Sequence, residues 1–491
     1  MVSNQLKNQH LMWRAGFGPA AEQLEQLKNI SPKQLYQALR NASGKKPAYM
    51  DVADNYLKGL YMGAEEIGRQ GKKKELDAEE RKMIRNKQRD GIKNLNLLWL
   101  SQMVESKAQL REKMAFFWHG HFASRNINIF FQQQLLDIIR VNALGSFRDL
   151  LHDVSKSAAI LNFLNASQNK KDHPNENFAR EVMELFTMGR GNYTETDIKE
   201  AARAFTGWSA NIKGEFIFRK FQHDDGVKTV LGKTGKFEGE AILDLLLDQK
   251  QTAFFIAQKI YKFFVNETID KEKAEWLATR FYKNDYHIGK LMDDIFTSDW
   301  FYDEKNIGTK IKSPIELLAG MQRMLPMKLE NEESLLLIQR ILGQLLFYPP
   351  NVAGWPGGKT WIDSSSLMMR MRIPQLINDN DELNVRPKID DDQMGGRTDD
   401  EEMTANVDKK KRGYGKVGKP IEADVSWEIY TKNFESIPRE NLLAVLQSHL
   451  LQVKPNYNAE IIKNSADNSG RENFIKSATI QVMSTPEYQL C

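Results

Sequence analysis

Cysteine is nearly missing from this 491-residue sequence: Cys491 is the only one, which excludes an intrachain disulfide and any multi-cysteine zinc site. The opening MVSNQLKNQHLMWRAGFGP lacks the basic start and apolar run of a secretory signal, so the sequence as it stands reads as cytoplasmic. No stretch approaches the length of a membrane span. Neither sign of charge dominates, with 69 basic against 65 acidic residues, a balance too even for a dedicated nucleic-acid binder. Basic runs such as Lys72 to Lys74 and Lys409 to Arg412 adjoin acidic stretches and read as solvated loops. Common catalytic signatures are missing too. There is no H-E-x-x-H, no G-x-S-x-G and no dinucleotide fingerprint followed by an acidic residue, and Gly357 to Thr360 lacks Walker spacing.

What is present is an ordinary globular composition, 41% hydrophobic and 27% charged, on a chain long enough to bury a large core. Apolar residues three or four apart mark helices through residues 20–40, 95–164, 175–188, 239–266, 270–300 and 313–346. Ser31 with Pro32, and Thr194 with Asp197, are helix-start signals. Around WSANIKGEFIF the period changes to two about a turn at Asn211 to Gly214, which predicts a hairpin. Residues 62–92 are highly charged and predict an exposed helix or a mobile insertion, whereas 378–419 carry few aromatics and predict a flexible one. The expected fold is mainly α: a large multi-helix body with one small β-hairpin and charged flexible insertions. Residues 1–377 form the body, 378–419 an insertion, and 420–491 a helical segment packing back on the body.

Four constellations carry candidate chemistry. His119 and His121 flank Gly120 in WHGHF at the end of an apolar helix. Residues two apart on a helix diverge, so both rings meet one ion only where the helix ends or distorts. In NENFAREVMELFTMG, Asn177, Glu181 and Glu184 fall at i, i+4 and i+7, sharing a face beside an apolar stripe. Two carboxylates there repel unless a cation or a shared proton relieves them, and ion pairing with Arg180 and Arg203 is the plainer account. His223, Asp224 and Asp225 precede Gly226 in a loop, and together with the first two segments offer a mixed nitrogen and oxygen donor set for a divalent metal. The Pro- and Gly-rich PPNVAGWPGGKTW has the makings of an ordered wall, with Trp355 and Trp361 as its faces and Asn351, Lys359 and Asp363 as polar contacts.

RAGFG, FWHGHF, NENFAREVMELFTMG, RAFTGW, HDDGVKTVLG, PPNVAGWPGGKTWIDSSSL and the closing STPEYQLC occur in the order typical of the domain-of-unknown-function family numbered 1800, which this sequence resembles over nearly its whole length. The motif positions include His119, His121, Glu181, Glu184, Arg180, His223, Asp224, Lys228, Gly354 and Trp355. The resemblance implies an uncharacterised activity, and a partner related to alkaline phosphatases and sulfatases that is often encoded alongside. It also implies export for many relatives, which leaves periplasmic placement open. Three readings are open. The first is a metal-dependent hydrolase or oxidative enzyme in which His119, His121, Glu181 and His223 bind the ion. Glu184 or Asp224 then serves as base or orienter, and Arg180 and Lys228 hold an anionic substrate. The second is a non-catalytic accessory or assembly protein built on the same polar network. The third is a carbohydrate-binding module using Trp208, Trp355 and Trp361.

Overall fold

The structure is a computed structural model, and it describes residues 2–61, 77–379 and 421–491. Helices dominate because the apolar spacing is helical and the starts are well capped. Ser31 and Gln34 form a reciprocal capping box ahead of Pro32–Ala42, and Thr194 with Asp197 does the same for Glu195–Ala204. Ser313 caps Pro314–Met324, and its partner Glu316 also meets two lysines deep inside the molecule. Among the described residues, no helix is long and apolar enough to cross a membrane.

The charged stretch at 62–92 divides. Residues 62–76 lie outside the described residues, but the remainder begins a 28-residue helix, Ala78–Glu105, that Asp77 caps with Glu80. Its early turns are solvated, and Gln88, Gly91, Ile92, Leu95 and Trp99 bury one face. Gly91 is needed there, since a Cβ would come within 2.8 Å of Ile129. Of the expected insertion at 378–419, residues 378 and 379 end the helix Ser364–Asp379 and the rest lie outside the described residues.

The expected hairpin is present, with β1 (Trp208–Ala210) antiparallel to β2 (Phe216–Phe218), Trp208 opposite Phe218. The single-hairpin expectation needs correction: two further two-stranded pieces exist. β3 (Lys228–Val230) pairs β4 (Lys233–Gly235) through a turn that holds Leu231 and Gly232 at positive φ. β5 (Met327–Leu329) pairs β6 (Ala423–Val425), tying the two sides of the 380–420 interval together. Three residues show little period by themselves, and β1 and β2 were marked mainly by the turn between them.

Apolar side chains gather in two cores. The larger is built around Trp99, Trp118, Phe122, Phe147, Phe178 and Ile260. The smaller joins Leu317, Leu318 and Met321 to Ile373, Leu446, Phe474 and Tyr488 from later in the chain. The helix Pro314–Met324 contributes to both, and buried Arg14, Lys113, Lys310, Lys312, Glu316 and Arg370 form a charged seam along it.

Candidate functional site

The WHGHF segment ends the helix Gln109–His121, nearly every residue of which is buried. His119 sits among the rings of Trp99, Phe347 and Trp355, with centroids at 5.1, 4.9 and 5.5 Å. Its Nε2 accepts a hydrogen bond from the Phe347 amide at 3.2 Å. Burial pushes its pKa down to about 3, so the ring is neutral and carries its proton on Nδ1. Phe347 makes that bond from a left-handed backbone conformation, φ 68°, which is costly for a side chain of its size. Close by, Gly354 packs on the Gly120 carbonyl, where a Cβ would stand 2.3 Å from the oxygen. The first and fourth sequence motifs therefore meet directly.

His121 points elsewhere, as residues two apart on a helix must. Its Nε2 donates to the Phe186 carbonyl at 3.2 Å, and its Nδ1 accepts from Lys259 Nζ at 3.0 Å. Burial first, and then the Lys259 charge, hold this ring well below its ordinary pKa. Burial likewise brings Lys259 down to about 8. Both acceptor carbonyls in this corner come from a π-helical segment: Phe186 meets His121, and Leu185 lies 3.5 Å from Lys259 Nζ.

That segment, Val182–Thr187, comes directly after the α-helical turn Asn177–Glu181. A π turn inserts a residue into the ladder and rotates the residues beyond it. Glu181 is half-buried, and burial and then the nearby Glu184 charge raise its pKa. Glu184 accepts from the Tyr193 hydroxyl at 2.8 Å and lies 3.9 Å from Arg190. Arg180 grips Glu195 with two nitrogens at 2.9 and 2.7 Å and reaches Glu176 at 3.1 Å.

The third motif folds upon itself. His223 Nδ1 donates to the Thr206 carbonyl at 2.9 Å, and the ring lies against Phe218. Asp224 takes a two-pronged bond from Arg203 at 2.7 and 3.2 Å, which holds its carboxyl below the usual range, and accepts from the Gly226 amide at 2.8 Å. Lys228, buried and with its pKa lowered by that burial, caps the Asp224 and Gly226 carbonyls. These residues form a clasp between the end of the helix Glu195–Ala204 and the loop that leads into β3.

Of the candidate residues, the fold brings His121 to the π turn and His119 to the PPNVAGW loop, while the His223 loop bonds to Arg203 and Thr206. Among the described residues, no three His, Cys, Asp or Glu side chains gather where they could hold a metal ion. The donor chemistry agrees, because both nitrogens of His121 and the Nε2 of His119 are already engaged. Among the described residues, His119, His121, Glu181 and His223 do not gather into one such group. Trp208 and Trp361 are buried at 3% and 8% exposure, so they do not line an exposed groove.

Lys259, Phe347 and Thr206 are the partners that sequence reasoning missed, and Arg203, expected beside Glu181 and Glu184, pairs with Glu200 and Asp224 instead. Arg203 and Thr206 lie within RAFTGW, a motif already noted, whereas a lysine within QKIYKFF had no visible reason to turn inward.

No match to the chain was found among the curated proteins or among the solved structures. The correspondence that does exist covers every segment just described: the HGH turn, the π-helical carboxylate helix, the His223 clasp and the PPNVAGW loop. A family model described as "Protein of unknown function (DUF1800)" matches residues 10–490, and the chain belongs to that family.

Proposed function

We propose that the chain acts as a non-catalytic accessory or assembly protein whose motif residues lock the helices and the PPNVAGW loop into one surface. One observation carries the reading: both ring nitrogens of the buried His121 are spent within the chain, on Lys259 Nζ and the Phe186 carbonyl. Arg180, Asp224 and Lys228 are similarly tied to Glu195, Arg203 and loop carbonyls, which leaves them serving the fold. Buried polar groups satisfied in this way specify one packing of neighbouring elements. The partner in this proposal is a protein related to alkaline phosphatases and sulfatases, as the family resemblance implies.

The metal-dependent alternative requires His119, His121, Glu181 and His223 to leave these bonds and converge. It expects stoichiometric metal, and the accessory reading expects none. Elemental analysis of protein purified without an affinity metal separates the two.

A further inference from the structure

The charged seam between the cores is out of balance. Arg14, Lys113, Lys310, Lys312 and Arg370 are all at most 8% exposed, and among the described residues the one buried carboxylate side chain beside them is Glu316. Glu316 is fully committed: Oε1 takes Lys113 at 2.5 Å and Lys310 at 2.8 Å, and Oε2 takes the Ser313 amide at 2.8 Å. Lys312 lies between the rings of Trp13 and Tyr488, 3.9 and 3.8 Å from their centroids, with its ammonium on the Tyr488 carbonyl. Cations still outnumber carboxylates among the described residues when the more distant Glu267 is counted in.

A lysine answers such a deficit by losing its proton, and burial does bring Lys312 down to about 7 and Lys113 to about 8. Arginine has no such exit at neutral pH. Arg370 is fully buried; its Nη1 donates to the Lys312 carbonyl at 2.9 Å, while Nε and Nη2 are buried with no partner among the described residues. Those two nitrogens form one edge of the guanidinium, the edge that matches two oxygens of a carboxylate or phosphate. Arg14 repeats the deficit: Nη2 bonds the Asn306 and Cys491 oxygens, and Nε and Nη1 have no partner among the described residues. An unpaired buried charge is strongly destabilising, so a missing acceptor is expected at this edge.

We propose that the Nε and Nη2 edge of Arg370 holds one small oxyanion, a phosphate, sulfate or carboxylate, beside Lys312 in the seam between the cores. The anion completes the charge balance that Glu316 leaves unfilled and fastens the helix Ser364–Asp379 to the 310–313 segment. Nothing in the His121 or His223 networks takes part, so the site stands apart from the reading above.

The test is equilibrium dialysis of the full chain against radiolabelled phosphate at constant ionic strength, with sulfate and acetate as competing arms. Saturable uptake of one equivalent is expected, displaced by whichever oxyanion class fits better, and absent from Arg370→Lys, which keeps the charge and loses the fork. A saturable rise in Tm with the same anion, over that given by chloride, should accompany it in the wild type alone. No saturable uptake of phosphate and no effect of sulfate or acetate on Tm overturns the proposal, and so does equal uptake by Arg370→Lys. Should Arg370→Lys and Arg370→Gln both fail to fold, the wild-type dialysis decides.

Discussion

Raising the pH from 7 to 9 should stabilise this protein, and Lys312 should account for much of the gain. Its ammonium is fully buried, and desolvation lowers its pKa from 10.5 to about 7. A depressed lysine is neutral in the folded state over a range where the unfolded chain still binds its proton. Between about pH 7 and the unfolded value of about 10.4, the unfolded state therefore holds more protons and stability rises with pH. Below that window both states are protonated and the cost of burying the ammonium is borne in full. Integrating the two titrations from pH 7 to 9 gives a gain of about 2 kcal/mol for this one group. The assay is urea unfolding at several pH values for wild type and Lys312→Met, in chloride buffer. The wild-type curve should climb more steeply than the variant's by that amount. Parallel curves would refute the reasoning, since they would mean that Lys312 has the same proton occupancy folded and unfolded. Phosphate in the buffer should flatten the wild-type slope if the seam takes up an oxyanion, because a neighbouring anion favours the charged lysine.

Two further outcomes bear on the motif networks. A double-mutant cycle of His121→Ala and Lys259→Met, read by chemical unfolding, should return a coupling of about 1–2 kcal/mol, and additive losses would mean that the 3.0 Å contact contributes nothing. Gly354→Ala should cost more than about 2 kcal/mol, because the position has φ 79° and a Cβ would meet the Gly120 oxygen at 2.3 Å; an unchanged Tm would refute the close approach of the two motifs.

Much of the architecture was written in local patterns. Apolar residues at helical spacing and short cap signals such as Ser31-Pro32 and Thr194 with Asp197 located helices, and the turn at Asn211 to Gly214 located β1 and β2. The long helix Ala78–Glu105 was obscured because its first turns are solvated and its buried face begins with Gln88 and Gly91 rather than with large apolar side chains. The π turn at Val182–Thr187 is a property of the hydrogen-bond ladder that no side-chain pattern encodes. The chemistry was harder to read for a related reason. His119, His121 and His223 find their partners largely in the Phe347 amide and the Phe186 and Thr206 carbonyls, main-chain groups that every residue owns. A sequence shows the imidazole and hides the backbone atom that bonds it.

The account rests most heavily on those histidines serving the fold rather than an ion, and metal content tests this directly. Protein purified without an affinity metal, and again after incubation with manganese, iron and zinc, should carry well below one equivalent of any of them. The His119→Ala, His223→Ala double variant should match it in metal content and differ by a lower Tm. Near-stoichiometric metal in the wild type, lost in the double variant, would contradict the account and return these residues to a metal centre.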